Sequence, residues 1–113
     1  MDARIIKDEE ALGKCAWCGN RIDEESPVYG SGIKFRPSVD LSEFEGKIIE
    51  LSILTQNKNV PIMITTEGSE AKEDGHDAMF MTCSNECGKE MRDILIKEKS
   101  IGDMFEGVNS LNN

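Results

Sequence analysis

Two pairs of closely spaced cysteines constrain this chain more than any other feature. Cys15 and Cys18 form a C-x2-C followed by glycine, and Cys83 and Cys87 form a C-x3-C that opens a helical pattern. The chain has no other cysteine. Two pairs that are distant in sequence suit a tetrahedral zinc site, because each pair supplies one edge of the tetrahedron. The sequence therefore predicts one Zn²⁺ bound by these four residues.

Other uses of the cysteines can be weighed against zinc. Residues 1–10 are charged and lack the apolar segment of a secretory signal. We therefore expect a cytoplasmic, reducing environment, in which disulfides do not persist. A thioredoxin-like redox motif begins a helix, whereas Cys18 leads into Gly19-Asn20, which favours a turn. Free thiols or another soft metal stay open as alternatives.

The length of 113 residues predicts one domain, and with the cysteine pairs we expect a single zinc-binding domain over residues 1–113. We expect its core at about 14–101, with an arm at 1–13 and a frayed tail at 102–113. Only 38% of the residues are hydrophobic, so a metal ion would add useful stability to such a thin core. No stretch approaches the roughly 20 apolar residues of a membrane span, so we expect no membrane association.

The net charge of −9 bears on the class of partner. Nucleic-acid binding requires neutralisation of phosphates by Lys and Arg, and the same charge disfavours anionic membranes. A small basic face beside the first cysteine pair has four candidate members: Lys14, Arg21, Lys34 and Arg36. We therefore expect a protein partner. The acidic segment 67–77 lacks the residue order of an EF-hand and is interpreted as a solvated loop.

Hydrophobic periodicity predicts an α+β domain. Apolar residues alternate over 47–54 and again over 60–66, which indicates an antiparallel β-hairpin around a turn at 56–59. A short strand at 78–82 runs into Cys83, and Ser84 is a good N-cap for the helix that follows. We predict that one face of the hairpin packs on the apolar stripe of this C-terminal helix. The facing residues would be Ile49, Leu51, Ile53, Ile62 and Ile64 on the hairpin, and Met91, Ile94 and Leu95 on the helix.

Three further features have both a functional and an ordinary interpretation. His76, the single histidine, is interpreted as an exposed loop residue rather than a fifth candidate ligand. Trp17 lies between two cysteines and is either a docking aromatic or a cover for the metal site. Four methionines suggest an adaptable apolar surface, with ordinary core as the alternative: Met63, Met79, Met81 and Met91.

The cysteine motifs also resemble a known group of zinc fingers. Cys15-x2-Cys18-Gly19, and Cys83-Ser84-x-x-Cys87 followed by a helix, are similar to TRASH, YHS and MYM-type fingers and to the finger of an archaeal large-subunit ribosomal protein. The segment between the two pairs would be a long insertion. The resemblance implies a treble-clef fold and metal binding, with roles in metal sensing or handling, or in docking to protein or nucleic acid.

These observations favour a non-enzymatic zinc-binding module, with a structural four-cysteine zinc, that acts as a protein-interaction or adaptor domain. Closed four-cysteine sites have no open coordination position, so we expect no enzymatic activity. One alternative is a metal-sensing or metal-trafficking protein with exchangeable zinc. A weaker alternative is a nucleic-acid- or ribosome-associated finger.

Overall fold

The chain has an α+β fold in which an antiparallel sheet carries a helix on one face. The computed structural model describes residues 3–6, by their backbone, and residues 13–23, 25–98 and 104–111. Its strands are β1 (Ala3–Ile6), β2 (Tyr29–Phe35), β3 (Ile48–Ile53), β4 (Lys58–Ile64), β5 (Ala78–Thr82) and β6 (Phe105–Ser110). Its helices are α1 (Glu70–Glu73) and α2 (Asn85–Lys97). The strand order across the sheet is β1-β3-β4-β5-β2-β6.

The predicted hairpin is confirmed as β3 and β4. They pair antiparallel, with Ile49 opposite Ile62 and Leu51 opposite Val60. The turn between them is a 3-10 turn at Leu54–Gln56 that ends at Asn57, whose φ is 49°. Asparagine tolerates this left-handed conformation better than most residues do. Because the turn ends at Asn57, β4 begins at Lys58, two residues before the predicted start at residue 60.

The apolar core lies between the sheet and α2. The predicted hairpin residues all belong to one buried cluster that also contains Met91 and Leu95, with Ile94 packed against it. The helix, however, contacts chiefly β2, β5 and β6 rather than the hairpin. The reason is the strand order, since β3 and β4 lie on the far side of β5. The predicted shared core is confirmed, and the helix lies to one side of the hairpin.

The predicted frayed tail is wrong for residues 105–110. These residues form β6, which pairs with β2 at the outside of the sheet. The side chain of Phe105 is 2% exposed and stacks on Phe35 with their ring centroids 6.0 Å apart. Burial of this ring stabilises the strand, although most of the other residues in the segment are polar or small. In the arm, residues 3–6 form β1 beside β3, and the rest of the arm before Gly13 lies outside the described residues.

The acidic segment 67–77 is also more structured than a solvated loop. It contains α1, whose N-cap Ser69 accepts a hydrogen bond from the backbone of Lys72. The carboxylate of Asp77 accepts a hydrogen bond of 2.8 Å from the backbone N–H of Phe35. It also forms an ion pair with the ammonium of Lys72, at 2.5 Å. The hydrogen bond to Asp77 also raises the pKa of Lys72. The segment thus holds the end of β2.

We expect Asp77→Ala to lower the free energy of unfolding by about 1–3 kcal/mol, because it leaves the N–H of Phe35 without its acceptor. Urea unfolding measures the change. Asp74→Ala is the matched control, since the Asp74 side chain is exposed in the same segment. Equal losses in the two variants would contradict a specific role for the Asp77 carboxylate.

Candidate metal centre

The first cysteine pair lies in a small hairpin-like loop, called here the knuckle (residues 13–22). Lys14 and Arg21 form an antiparallel bridge, and the backbone N–H of Cys15 donates to Asn20 at 2.9 Å. Gly19 has a φ of 78°, which a residue with a β-carbon rarely adopts. Its N–H donates back to the carbonyl of Cys15 at 3.0 Å. The glycine after C-x2-C therefore lets the chain reverse and brings the two thiols together.

The knuckle lies where β4 and β5 separate. These strands pair only at Met63–Met79 and Ile64–Ala78. Beyond that point the N–H of Ala16 donates to the carbonyl of Met81 at 2.8 Å, so the knuckle takes the neighbouring position beside β5. Pro61 lies in the diverging half of β4 and has no N–H for a ladder. Pro61 therefore lies beside a gap inside the sheet, where a ladder hydrogen bond to β5 is not required.

The second cysteine pair is positioned by the junction of β5 and α2. Cys83 follows the last residue of β5, and Ser84 accepts a hydrogen bond of 3.1 Å from the backbone N–H of Cys87. This confirms the predicted N-cap and places Cys87 in the first helical turn. Gly88 allows the helix to approach β5, since a β-carbon there would come within 3.1 Å of the Thr82 hydroxyl. The junction between β5 and α2 therefore positions the thiols of both Cys83 and Cys87 beside the knuckle.

The four thiols converge on one point. Their Sγ atoms all lie within 4.8 Å of one another. The Sγ of Cys83 is 3.6 Å from that of Cys18 and 3.8 Å from that of Cys87. Tetrahedral coordination at about 2.3 Å separates sulfur atoms by about 3.8 Å, whereas a disulfide requires about 2.05 Å. All four cysteines are free, and they form a possible metal site.

The site has a buried side and an open side. Cys15 is 3% exposed, Cys83 and Cys87 are half-buried, and Cys18 is exposed. Four thiolates form a donor set that fits Zn²⁺, which is commonly held in this way in structural sites.

The proton affinities of the thiols differ within the cluster. Burial raises the pKa of Cys87 to about 12, and the hydrogen bond with Cys18 raises the pKa of Cys83. Burial opposes ionisation of Cys15 as well, but the backbone N–H groups of Cys18, Cys83 and Trp17 outweigh it and lower its pKa to about 7. In the metal-free cluster Cys15 therefore loses its proton most readily, whereas Cys83 and Cys87 hold their protons more tightly than free cysteines do. A bound cation has to displace those protons.

We expect the apparent affinity for zinc to fall as the pH is lowered from about 8 to about 6, because protons compete with the cation for the sulfur atoms. A competition titration with a chromogenic chelator at several pH values measures this. The same experiment in weak buffer should show proton release on zinc addition. An affinity that does not change with pH, after correction for the chelator's own protonation, would contradict thiolate coordination.

Trp17 connects the knuckle to the rest of the fold. Its indole N–H donates to the carboxylate of Glu90 at 2.8 Å, and the ammonium of Lys58 lies 3.8 Å from its ring centroid. Lys58 also donates to the carbonyl of Trp17. The side chain is partly buried and packs against the core, which disfavours its use as a docking aromatic. Sequence reasoning did not identify Lys58 and Glu90, since they lie 41 and 73 residues away and carry no motif.

The remaining candidate residues from the sequence are the histidine and the four basic residues, and they do not form one site with the cysteines. His76 is half-buried, which corrects the exposed-loop interpretation, and it does not belong to the cysteine cluster. Lys14 and Arg21 lie in the knuckle, but Lys34 and Arg36 lie at the end of β2 remote from Cys83. The proposed basic face of four residues is therefore split.

Comparison with protein-family models, with curated proteins and with solved structures found no match. Within the described ranges, neither helix has the length and apolar content that crossing a membrane requires.

Proposed function

We propose that this chain is a non-enzymatic zinc-binding module whose zinc is structural and whose partner is a protein. We also propose a treble-clef relationship, on the basis of the knuckle and the cysteine pair at the helix start. The observation that carries the proposal is the convergence of four Sγ atoms, all within 4.8 Å, from two distant parts of the chain.

A structural role is supported by what the ion would connect. The knuckle comes from residues 13–22, and the second pair comes from the junction of β5 and α2. Within the described residues, the knuckle has turns and an isolated bridge but no helix or strand of its own. An ion bound to all four sulfur atoms would cross-link this loop to the sheet and helix. Because the four protein ligands close the coordination shell, they leave no position for an activated water.

A protein partner is supported by charge and by the sheet. The net charge of −9 opposes nucleic acid, and the four basic residues are divided between two places. Within the described residues, β3 pairs with β1, and β4 pairs with β5 only at Met63 and Ile64, so the hairpin lies inside the sheet rather than at its outer edge. The outer strands are β1 and β6, and an outer strand can accept an added strand from a partner.

Native mass spectrometry of protein purified under reducing conditions tests the metal assignment. We expect one zinc ion per chain, and none in Cys83→Ser. Replacement by Co²⁺ should give the absorption of a tetrahedral tetrathiolate. Metal-free wild-type protein with an intact cooperative unfolding transition would overturn the proposal.

Exchangeable zinc, as in a metal-sensing or metal-trafficking protein, is the second candidate. The exposure of Cys18 favours it, because an incoming ligand can reach that sulfur first. Trp17 is the single tryptophan and lies between two ligands, so its fluorescence reports on the site. Slow zinc loss to a mild chelator supports the structural role, whereas rapid transfer supports the exchangeable one.

A further inference from the structure

Three methionines lie on the face of the sheet opposite α2. Met63 of β4 is directly opposite Met79 of β5, and Met81 follows two residues later on the same face. Met63 is 38% exposed and the other two are half-buried, whereas Met91, on the helix side, is 0% exposed. All three line one cleft of about 80 Å³. These thioethers therefore form an accessible group outside the core.

His76 lies beside this group. Its imidazole occupies the space above Gly32, because a β-carbon at Gly32 would collide with the ring. Gly32 is the cross-strand partner of Met79. The register therefore places the imidazole over β2 next to Met79, with Met63 on the other side of Met79. The backbone of His76 is fixed, since its N–H donates to Ala71 at 3.0 Å and its carbonyl accepts from Thr65 at 2.9 Å.

Thioether and imidazole groups are neutral, polarizable ligands that suit a soft monovalent cation. Hard divalent cations prefer carboxylate oxygens, and this group supplies none. Lys14 also lines the cleft, and a cationic residue there disfavours ions of higher charge. We propose that Met63, Met79, Met81 and His76 bind Cu⁺ at a site separate from the four cysteines.

Silver is the probe for this site, because Ag⁺ has the ligand preferences of Cu⁺ and does not undergo its redox chemistry. Zinc-loaded protein labelled with ¹³C at the methionine methyl groups is titrated with Ag⁺. The fluorescence of Trp17 and the zinc released report on the cysteine site, while the methyl signals report on the methionines. We expect the signals of Met63, Met79 and Met81 to shift together and that of Met91 to stay in place.

Variants distinguish one shared site from independent weak binding. Met79→Leu removes a proposed ligand and should weaken the response of the two remaining methionines by at least roughly tenfold, since loss of a residue that only orients a ligand already costs a metal site that much. Gly32→Ala displaces the imidazole of His76, so it should also weaken the response of the methionine signals to Ag⁺. Met91→Leu is the control and should leave it unchanged. Methyl signals that do not move, or that move with equal affinity in Met79→Leu, would overturn the proposal.

Discussion

Replacing Cys83 with serine should abolish zinc binding and remove most of the folding stability. Cys83 contacts both cysteine pairs, since its Sγ lies 3.6 Å from that of Cys18 and 3.8 Å from that of Cys87. Zinc binding in small domains contributes on the order of 10 kcal/mol to folding, which is similar to the whole stability of a typical domain, about 5–15 kcal/mol. Thermal and urea unfolding, monitored by the fluorescence of Trp17, measure the loss, and elemental analysis of the same samples measures the metal.

Two controls separate the metal from the side chain. Asn85→Ala changes an exposed residue near Cys83 that is not part of the cluster, and it should retain one zinc per chain. Wild-type protein stripped by a strong chelator should unfold like Cys83→Ser. A Cys83→Ser protein whose stability is within about 0.5 kcal/mol of wild type, the usual range of surface substitutions, would show that the cluster does not hold a structural ion.

The sequence was sufficient to predict the parts of the site that depend on local chemistry. Gly19 provides the positive φ of the knuckle, and Ser84 provides the N-cap beside Cys83. Alternation predicted the hairpin, because one face of a half-buried sheet must be apolar at every second residue. These features depend on neighbours in sequence, so a single chain displays them.

Features that depend on distant residues could not be predicted in the same way. The strand β6 has one fully buried ring, Phe105, and polar or small residues at most other positions, so its periodicity is weak. Its order depends on pairing with β2, which lies far away in sequence. The position of the knuckle between β4 and β5 likewise depends on the hydrogen bond that the N–H of Ala16 donates to the carbonyl of Met81. Such contacts follow from the tertiary fold rather than from local pattern.

The hairpin core provides the second large prediction. We expect Leu51→Ala to lower the free energy of unfolding by about 2–5 kcal/mol, because it removes a fully buried side chain and leaves a cavity. Leu51 is 0% exposed and lies opposite Val60 in the middle of the hairpin. Its neighbours are held in register by strands on both sides, so the site has little freedom to collapse into the space. Urea unfolding of the zinc-loaded protein measures the loss.

Leu54→Ala is the matched control for this prediction. It makes the same chemical change three residues later, at a side chain that is 70% exposed in the turn after β3. We expect it to cost no more than about 0.5 kcal/mol, as surface substitutions usually do. Both variants should keep one zinc per chain, because neither residue belongs to the cysteine cluster. Losses of equal size at the two positions would place Leu51 outside the core, and the inserted hairpin would then contribute little to the stability of the domain.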